Sequence, residues 1–389
     1  MAFQAFRVAG YPVHRWTCTH LNQRPWQLAS SIGSSWRSLS TSTSLRGAQQ
    51  TMKALVYTGT NSMEFQERAI PSIQAPSDAI VKMRYGTICG SDLHILKGDV
   101  PSVQHGRVLG HEGVGSIVAT GSAVPDNAFK NGDSVLISCI STCGVCPKCR
   151  KGMGSHCETG GWLLGKDIDG TQAEFGIATI QGGEGSFLEH LLTKSLLVRI
   201  PHAATSLYRM PSNLSPRDAV TLSDAFPTGM ESGALNARVR PGCSVAIVGA
   251  GPVGLAAMLT AKLYSPAHLV VIDMDDKRLE YARSLGADAT INPGAPGAMD
   301  LLDAQTDGVG FDSVMEAVGV PQVRKVPFAS FSNTLSLTNP QTFELCQKII
   351  APGGSLANVG VHGQKVDFHL DKLWDRNIGG NNPFGYFSL

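Results

Sequence analysis

Short runs of β-branched and apolar residues, separated by turn-forming residues, dominate the chain from Lys53 to about residue 138. Gly, Pro, Asn and Asp interrupt these runs, as expected for short strands joined by tight turns. The runs are KALVY, AIVKMRYG, GVGSIVAT and GDSVLIS. They predict an all-β domain, with functional side chains on its loops.

A second pattern begins near Gly229, where longer apolar runs alternate with segments of helical character. SVAIVGAGPVGLAAMLTAKLY combines a buried strand, a glycine turn and a helix. Further buried strands follow in HLVVID, FDSVME and SLANVGV. This alternation predicts an α/β domain with a doubly wound parallel sheet.

The glycine turn of this second domain has the spacing G-x-G-x-x-G at Gly249, Gly251 and Gly254. It follows a strand and opens a helix, and Asp273 comes 19 residues after the last glycine, which is the context of a dinucleotide site. An acid there bonds the ribose hydroxyls and repels a 2′-phosphate, so NAD is favoured over NADP. Arg278 is either close to the same ribose or a solvated helix residue.

Four cysteines are crowded into one short segment with the spacing C-x2-C-x2-C-x7-C. Two-residue gaps let neighbouring sulfurs converge on one tetrahedral ion, and four thiolates leave no open position. The spacing therefore predicts a structural zinc, although a redox pair is the alternative. The four ligands would be Cys143, Cys146, Cys149 and Cys157. The remaining cysteines, Cys139 among them, are interpreted as ordinary residues.

A second candidate metal site lies in residues 86–112, GTICGSDLHILKGDVPSVQHGRVLGHE. Cys89 and His111 offer ligand types that suit zinc, and Glu112 follows directly. Asp224, in TLSDAFPTG, is the best candidate for a third ligand. Three protein ligands and one open position are typical of a catalytic zinc. The alternative is a buried Cys and a core His without a metal.

Composition narrows the possible partners. The chain has 389 residues, long enough for two domains with separate cores, with 42% hydrophobic and 16% charged residues. A net charge of +1 gives no reason to expect nucleic acid or an anionic membrane as a partner. No apolar run reaches the roughly 18 residues that a membrane span requires.

Residues 1–51 differ from the rest of the chain. They contain no acid, Ser and Thr cluster between residues 30 and 44, and arginines are spread throughout. This composition predicts a mitochondrial transit peptide. A disordered tail, or upstream sequence wrongly joined to the gene, is the alternative. Met52 opens MKALVYTG, so a shorter cytoplasmic form is a further alternative.

CGSDLH, GHEGVG, CGVCPKCRKGMGSHC and GAGPVG, in that order, resemble the zinc-dependent medium-chain alcohol dehydrogenases over about residues 52–378. The resemblance implies a GroES-like β-barrel catalytic domain at 52–228 and a Rossmann NAD-binding domain at 229–378. It also implies two zinc ions per subunit, one catalytic and one structural, and a homo-oligomer.

The resemblance also implies a reaction. Zinc held by Cys89, His111 and Asp224 would polarise the oxygen of a small alcohol, whose hydride passes to NAD to give an aldehyde or ketone. Ser91 would take the hydroxyl proton and pass it through the nicotinamide ribose to His94. His94 would lie near enough to solvent to release it.

Further roles follow from the same resemblance. Glu112 would enter the zinc sphere when no substrate is bound, and Asp92 would orient a ligand. An Asp at position 224 resembles the subgroup that acts on secondary alcohols. Trp162 would form a pocket wall, or be a packed core residue. The remaining cofactor contacts would be Thr228, Pro252, Val253, Val318, Val359 and Val361.

Three segments depart from the family pattern: 176–197, 322–340 and 379–389. The first two interrupt otherwise close matches, and the third replaces a longer terminus, so that part of the Rossmann domain is missing. GGNNP consists of turn-forming residues at a position where the family pattern leads one to expect an edge strand. We interpret all three as translated introns, the last read to its first stop codon. The alternative to an active enzyme is therefore an inactive zinc-binding product of a gene that is unspliced or whose exons are wrongly joined.

Overall fold

The structure is a computed structural model that describes residues 51–172, 196–319, 341–362, 365–382 and 385–388. The predicted transit peptide, except Thr51, lies outside these residues. So do the two predicted insertions, except for Leu196 and Leu197. Within the described ranges, no helix is long and apolar enough to cross a lipid bilayer.

The first part of the described chain forms strands around one apolar core. Its strands are β1 Thr51–Gly59, β2 Ser62–Ala69, β3 Ala79–Gly86, β4 Arg107–Val108, β5 Gly113–Thr120, β6 Ser134–Ile137, β7 Leu197–Ile200 and β8 Leu207–Arg209. They form a three-stranded sheet, β2-β1-β4, and a five-stranded sheet, β7-β3-β5-β6-β8. Alternate residues of β1, among them Ala54 and Val56, enter the core, which is the two-residue period of a half-buried strand.

Short helices interrupt these strands and carry much of the candidate chemistry. They are α1 Gly90–Lys97, α2 Pro147–Arg150, α3 Ala203–Ser206, α4 Pro216–Ala219 and α5 Ala225–Thr228, with 3₁₀ turns at Gly154–His156 and Val220–Ser223 and a π-helix at Gly229–Leu235. The chain runs from α5 into the π-helix without a break, so the predicted domain boundary falls within a helical connection.

The second part alternates strands and helices. Its elements are β9 Ser244–Val248, α6 Pro252–Lys262, β10 His268–Ile272, α7 Asp276–Ser284, β11 Ala289–Ile291, α8 Ala298–Ala304, β12 Phe311–Glu316, α9 Gln341–Ile349, β13 Ile350–Asn358, α10 Leu370–Leu373, β14 Gly379–Asn382 and β15 Gly385–Ser388. The sheet order is β11-β10-β9-β12-β13-β14-β15. Val245 and Ile247 of β9 enter one apolar cluster, and Ala246 and Val248 enter another. The sheet is therefore buried on both faces, as parallel sheets are.

The end of the chain differs from its predicted structure. GGNNP was expected to be a turn, but β14 pairs in parallel with β13, with Ser355 opposite Gly379. β15 then pairs with β14 in antiparallel orientation. The open edge of β13 offers backbone N–H and C=O groups, and pairing with them requires an extended backbone rather than particular side chains. The prediction that this tail leaves the edge of β13 uncovered was wrong.

The last two residues of the first predicted insertion are part of the barrel. Leu197, assigned to the insertion, begins β7 and pairs with Lys82 of β3. Leu196 is buried in the barrel core, and its carbonyl accepts a hydrogen bond of 2.9 Å from the N–H of Met83. Leu196 is buried with Val198 in the barrel core, and Leu197 packs against the same core, so both residues belong structurally to this strand.

Candidate active site

Four potential metal ligands from distant segments converge in the β-rich part. One donor atom each from Cys89, His111, Glu112 and Asp224 lies within 4.8 Å of the others. Cys89 is the N-cap residue of α1, and His111 and Glu112 directly precede β5. Asp224 is the residue before α5. The structure thus brings together the three predicted ligands of the catalytic zinc and the predicted neighbouring acid.

His111, Glu112 and Asp224 are buried and Cys89 is half-buried, and the cluster contains more acids than bases. Nε2 of His111 lies 3.0 Å from Oδ2 of Asp224. Burial lowers the pKa of His111, but the hydrogen bonds with Asp224 and Cys89 and the charges of Asp92 and Cys89 together outweigh it, so the pKa lies well above its usual value. Burial raises the pKa of Asp224, but the hydrogen bond and charge of His111 and the hydrogen bond from Thr228 together lower it, to about 2. Burial and the charge of Asp224 raise the pKa of Glu112 to about 7.

A zinc ion fits this donor set. Buried acids need a compensating cation, and one imidazole is a poor match for a thiol and two carboxylates. Thiolate, imidazole and carboxylate are zinc ligands, and three of them with one open position form a catalytic site. Cys89, His111 and Asp224 provide those three, and Glu112 provides a further carboxylate beside them.

Asp92 braces two of the loops that carry ligands. Its carboxylate accepts hydrogen bonds from the N–H of Cys89 at 2.9 Å and from the N–H of Gly110 at 3.2 Å. It also accepts one from Nε2 of Gln172 at 2.8 Å. Burial raises its pKa, and the charge of His111 opposes that rise. Its Oδ1 lies 3.7 Å from Nδ1 of His111, so Asp92 acts on the imidazole mainly through charge.

Three residues that the sequence did not identify as neighbours of the site contact its acids. The hydroxyl of Thr87 donates a hydrogen bond to Oε2 of Glu112. The hydroxyl of Thr228, predicted to contact the nicotinamide, donates to Oδ1 of Asp224. The thiol of Cys139, interpreted as an ordinary residue, lies near Asp224 and contributes to the low pKa of that carboxyl. Each is a single residue without a motif, so no signal in the sequence reports these contacts.

The two predicted proton carriers both lie on α1. Oγ of Ser91 is 3.5 Å from Nε2 of His111, which places the hydroxyl beside the ligand cluster. His94 was expected to lie near enough to solvent to release the proton. Its side chain is 11% exposed, and its Nδ1 is 2.9 Å from Oδ2 of Asp99, whose side chain is 31% exposed.

Trp162 lies edge-on to His111, one of the predicted zinc ligands. Its ring centroid is 5.8 Å from that of His111, with an interplanar angle of 76°. It also packs against an apolar cluster that includes Tyr57, Ile95 and Leu109. The indole therefore supports the imidazole from the side, while its buried Nε1 has no hydrogen-bond partner among the described residues.

The four-cysteine segment forms a second cluster, in which one sulfur from each residue lies within 4.8 Å of the others. Sγ of Cys143 accepts a hydrogen bond from the N–H of Cys146 at 3.4 Å, and Sγ of Cys157 accepts one from the N–H of Cys143 at 3.3 Å. The N–H groups of Val145 and Cys146 lower the pKa of Cys143 to about 6. Converging thiols with N–H donors directed at them fit a tetrahedral zinc.

The glycine turn between β9 and α6 leaves space in front of the helix. Gly249 has φ of +110°, and a side chain there would collide with Val318. A side chain on Gly254 would meet the carbonyl of Gly249, so the helix packs closely on the turn. A Cβ at Gly251 would meet nothing within 4 Å. Gly251 is the N-cap residue of α6 and provides no side-chain cap, so the N–H groups of Val253 and Gly254 are available for an anion, whereas that of Leu255 bonds the carbonyl of Gly251.

Asp273 lies directly beside this turn. Its carboxylate accepts hydrogen bonds from the N–H of Ala250 at 2.7 Å and from the N–H of Asp275 at 2.8 Å. Nη1 of Arg278 is 3.8 Å from Oδ2 of Asp273. The structure thus brings together the glycine turn, the predicted ribose-binding acid and the arginine for which two roles were open.

The other predicted cofactor residues lie around the same end of the sheet. Pro252 and Val253 begin α6, and Val318 follows β12 beside Gly249. Val359 and Val361 follow β13, the strand paired with β12. The N–H of Val359 donates a 2.7 Å hydrogen bond to the carbonyl of Glu316, so the two segments are joined.

Family models and curated relatives match this architecture. A model described as "Alcohol dehydrogenase GroES-like domain" matches residues 75–200, and one described as "Zinc-binding dehydrogenase" matches residues 252–333. The chain is 31% identical to zinc-type alcohol dehydrogenase B of Aspergillus flavus over 334 residues. The matched region covers 84% of this chain and 68% of that protein. It is also 31% identical over 340 residues to an alcohol dehydrogenase of Cupriavidus necator, a match that covers 82% of this chain and 79% of that protein.

Solved structures give the same result. Zinc-dependent alcohol dehydrogenase 2 from Streptococcus pneumonia, in its apo form, is 44% identical, with a TM-score of 0.71. The match covers 85% of this chain and 82% of that one. An alcohol dehydrogenase from Thermus sp. ATN1 is 31% identical, with a TM-score of 0.68 and coverage of 85% and 84%. These matches confirm the predicted GroES-like and Rossmann architecture and imply zinc and a nicotinamide cofactor. The chain is an oxidoreductase that belongs to the zinc-dependent medium-chain alcohol dehydrogenase family.

Proposed function

We propose that this chain is an NAD-dependent dehydrogenase that oxidises a small alcohol, with secondary alcohols the first class to test, to an aldehyde or ketone. The observation that carries the proposal is the convergence of half-buried Cys89 with buried His111 and Asp224, with Ser91 beside His111. This cluster and the glycine turn belong to the same compact unit, residues 49–389.

The chain's own residues would divide the work as follows. Cys89, His111 and Asp224 hold the catalytic zinc, and Asp92 fixes the loops that carry the first two. When bound, zinc acidifies the hydroxyl of the alcohol as a Lewis acid, and the nicotinamide accepts the hydride. Burial of the cluster excludes water, which strengthens every charge interaction there.

Ser91 is suited to take the hydroxyl proton. Its Oγ lies 3.5 Å from Nε2 of His111, and therefore next to the position where an alcohol oxygen would bind. His94 is three residues further along α1, so both side chains lie on the same face of the helix. Ser91 accepts the proton at Oγ and directs its own proton towards Nε2 of His94.

We further propose NAD as the cofactor and a second, structural zinc. The carboxylate of Asp273 lies beside the glycine turn, where it would oppose the 2′-phosphate of NADP. The second zinc would be held by the cluster of Cys143, Cys146, Cys149 and Cys157, whose four thiolates leave no position for substrate.

Alcohol-dependent formation of NADH by the purified, zinc-loaded 389-residue protein tests the enzymatic proposal. We expect turnover of at least one primary or secondary alcohol, and loss of turnover in Cys89→Ser. A protein that retains its zinc but oxidises no alcohol with NAD or NADP would instead match the alternative of an inactive zinc-binding product. Zinc content measured on the same sample separates that outcome from simple loss of the metal.

Residues 1–51 lie outside the described residues except for Thr51, and we propose that they direct import into mitochondria. The support is their acid-free, Arg-rich and Ser-rich composition. Initiation at Met52 would give a cytoplasmic form. Assembly into a homo-oligomer is likewise a proposal, supported by the family resemblance.

A further inference from the structure

The carboxylate of Asp99 is placed against His94 by the way α1 ends. Gly98 adopts φ of +87°, and its N–H bonds the carbonyl of Ile95 at 2.9 Å. The N–H of Asp99 bonds the carbonyl of His94, also at 2.9 Å. These two bonds and the left-handed glycine form a Schellman motif. The motif turns the chain back on the helix, so Oδ2 of Asp99 lies 2.9 Å from Nδ1 of His94.

The side chain of Asp99 is not needed for this helix end. A Schellman motif uses backbone N–H groups and a residue that tolerates a left-handed conformation, here Gly98. Any residue at position 99 except proline provides the same N–H group. The contact between carboxylate and imidazole is therefore an additional feature, and it calls for a separate physical reason.

The contact determines which nitrogen of His94 carries the proton. An ionised carboxylate only accepts hydrogen bonds, so Nδ1 of the neutral imidazole must be the N–H donor to Asp99. Nε2 then has a free lone pair. Among the residues that the structure describes, no hydrogen bond engages Nε2 of His94. The imidazole side chain is 11% exposed and the carboxylate 31% exposed, so the acid lies on the solvent side of the pair.

We propose that Asp99 is a positioning residue for proton transfer, a role that rests on the proposed dehydrogenase function. It holds His94 with the proton on Nδ1, so that Nε2 accepts the proton that leaves the alcohol through Ser91. It then stabilises the resulting imidazolium by its negative charge. The imidazolium then returns one proton to water, which restores the neutral imidazole beside the ionised carboxylate. A carboxylate, an imidazole and a hydroxyl have the same relation in hydrolytic triads.

The tautomer of His94 tests the proposal without any turnover. Long-range ¹H–¹⁵N spectra of the full-length, zinc-loaded protein labelled at histidine distinguish the two tautomers, and the signal lost in His94→Gln assigns the residue. We expect Nδ1–H in the native protein and a shift towards Nε2–H in Asp99→Asn, whose amide can donate to Nδ1. Asp167→Asn, which removes an exposed acid 3.1 Å from Lys166, should leave the signal unchanged. Nε2–H in the native protein, or no change in Asp99→Asn, would overturn the proposal.

Kinetics provide a second test. In Asp99→Asn, kcat should fall by roughly tenfold to a hundredfold, less than the roughly 10²- to 10⁴-fold that a positioned base itself contributes. The KM for the cofactor should change little. Asp99→Asn should have no further effect in a His94→Gln background, because it acts through that imidazole. Effects that multiply would overturn the proposed route. If the native chain oxidises no alcohol, the proposed function fails, and the tautomer still decides the role of Asp99.

Discussion

Oε2 of Glu316 lies 3.3 Å from Nε2 of His362, at the point where β12 ends, and Glu316 is completely buried. Oε1 accepts hydrogen bonds from the N–H groups of Val318 at 3.1 Å and Gly319 at 3.0 Å. His362 also contacts Oδ1 of Asn358, the last residue of β13, at 2.7 Å. One buried acid therefore links the two segments that are predicted to border the nicotinamide.

We expect Glu316→Gln to weaken both the fold and cofactor binding. The amide group would face the backbone donors or the imidazole with an N–H instead of an oxygen, and an unsatisfied buried group costs about 1–3 kcal/mol. Urea denaturation measures that loss, and titration with NADH measures affinity. Glu344→Gln, which removes a partly exposed acid paired with Lys348, is the matched control and should cost less than about 1 kcal/mol. Equal effects of both variants would contradict the role assigned to Glu316.

The two cysteine-containing clusters should respond differently to loss of one ligand. Cys146→Ser should remove the structural zinc and lower the melting temperature, because binding of such a metal contributes directly to folding. Cys89→Ser should remove the catalytic zinc and activity while the melting temperature falls less. Metal analysis should show two zinc ions in the native protein and one in each variant. Unchanged zinc content in Cys146→Ser would contradict the structural site.

Asp273→Ser should relax the preference for NAD. Without its carboxylate, the pocket no longer repels a 2′-phosphate, and Arg278, 3.8 Å away, becomes available to bind one. We expect the affinity ratio of NADH to NADPH, measured by fluorescence titration, to fall by about tenfold or more, equivalent to about 1.4 kcal/mol. Asp276→Asn removes the nearby acid at the start of α7, which instead accepts a hydrogen bond from Asn292, so it should leave the ratio unchanged. Tighter binding of NADPH by the native protein would contradict the role of Asp273.

Sequence predicted those parts of the molecule that depend on local patterns. The runs KALVY and GVGSIVAT became β1 and β5, because the alternation of apolar residues fixes which face is buried. The cysteine spacing is also a local pattern: two-residue gaps place neighbouring sulfurs close together, and the four sulfurs do converge in the structure. Asp224 was predicted as the best candidate for the third ligand, although no spacing connects it to Cys89, and the resemblance implied the same role.

Contacts between distant single residues were not predictable in this way. Thr87 and Cys139 meet the acids of the site only because strands place their loops side by side. Asp99 contacts His94 through a glycine turn whose left-handed conformation has no marker beyond one glycine. The strand at Gly379 forms because an open sheet edge accepts any extended backbone, a property of β13 and not of the tail itself.

A fluorescent reporter fused to residues 1–51 should accumulate in mitochondria. The arginines of this segment and its lack of acids make it a cationic presequence. Replacing the arginines by glutamine keeps the length and removes the charge, so this control should give a diffuse signal. A diffuse cytosolic signal from the unaltered segment would show that it is not a targeting sequence.

The first predicted insertion joins two well-anchored points of the barrel. Before it, the carbonyl of Gln172 accepts a 3.3 Å hydrogen bond from Leu55 of β1, and after it Leu196 bonds Met83 of β3. A long connection between fixed ends costs little, since each doubling of loop length adds only about 0.6 kcal/mol. We therefore expect removal of residues 176–195, which keeps both core leucines, to leave the melting temperature within a few degrees of that of the native chain.

The second predicted insertion should be more harmful, because it begins beside the cofactor segments. Val318 and Gly319, which depend on Glu316, lie immediately before it. If both insertions are introns, cDNA from the native source should lack residues 176–197, 322–340 and the present tail. The protein from that message should oxidise alcohol at least tenfold faster than the 389-residue chain. A mature message that retains all three segments would refute the intron hypothesis. Strong activity of the 389-residue chain would refute the prediction that these segments damage the enzyme. It would mean that the residues bordering the nicotinamide are correctly placed even with the second insertion present.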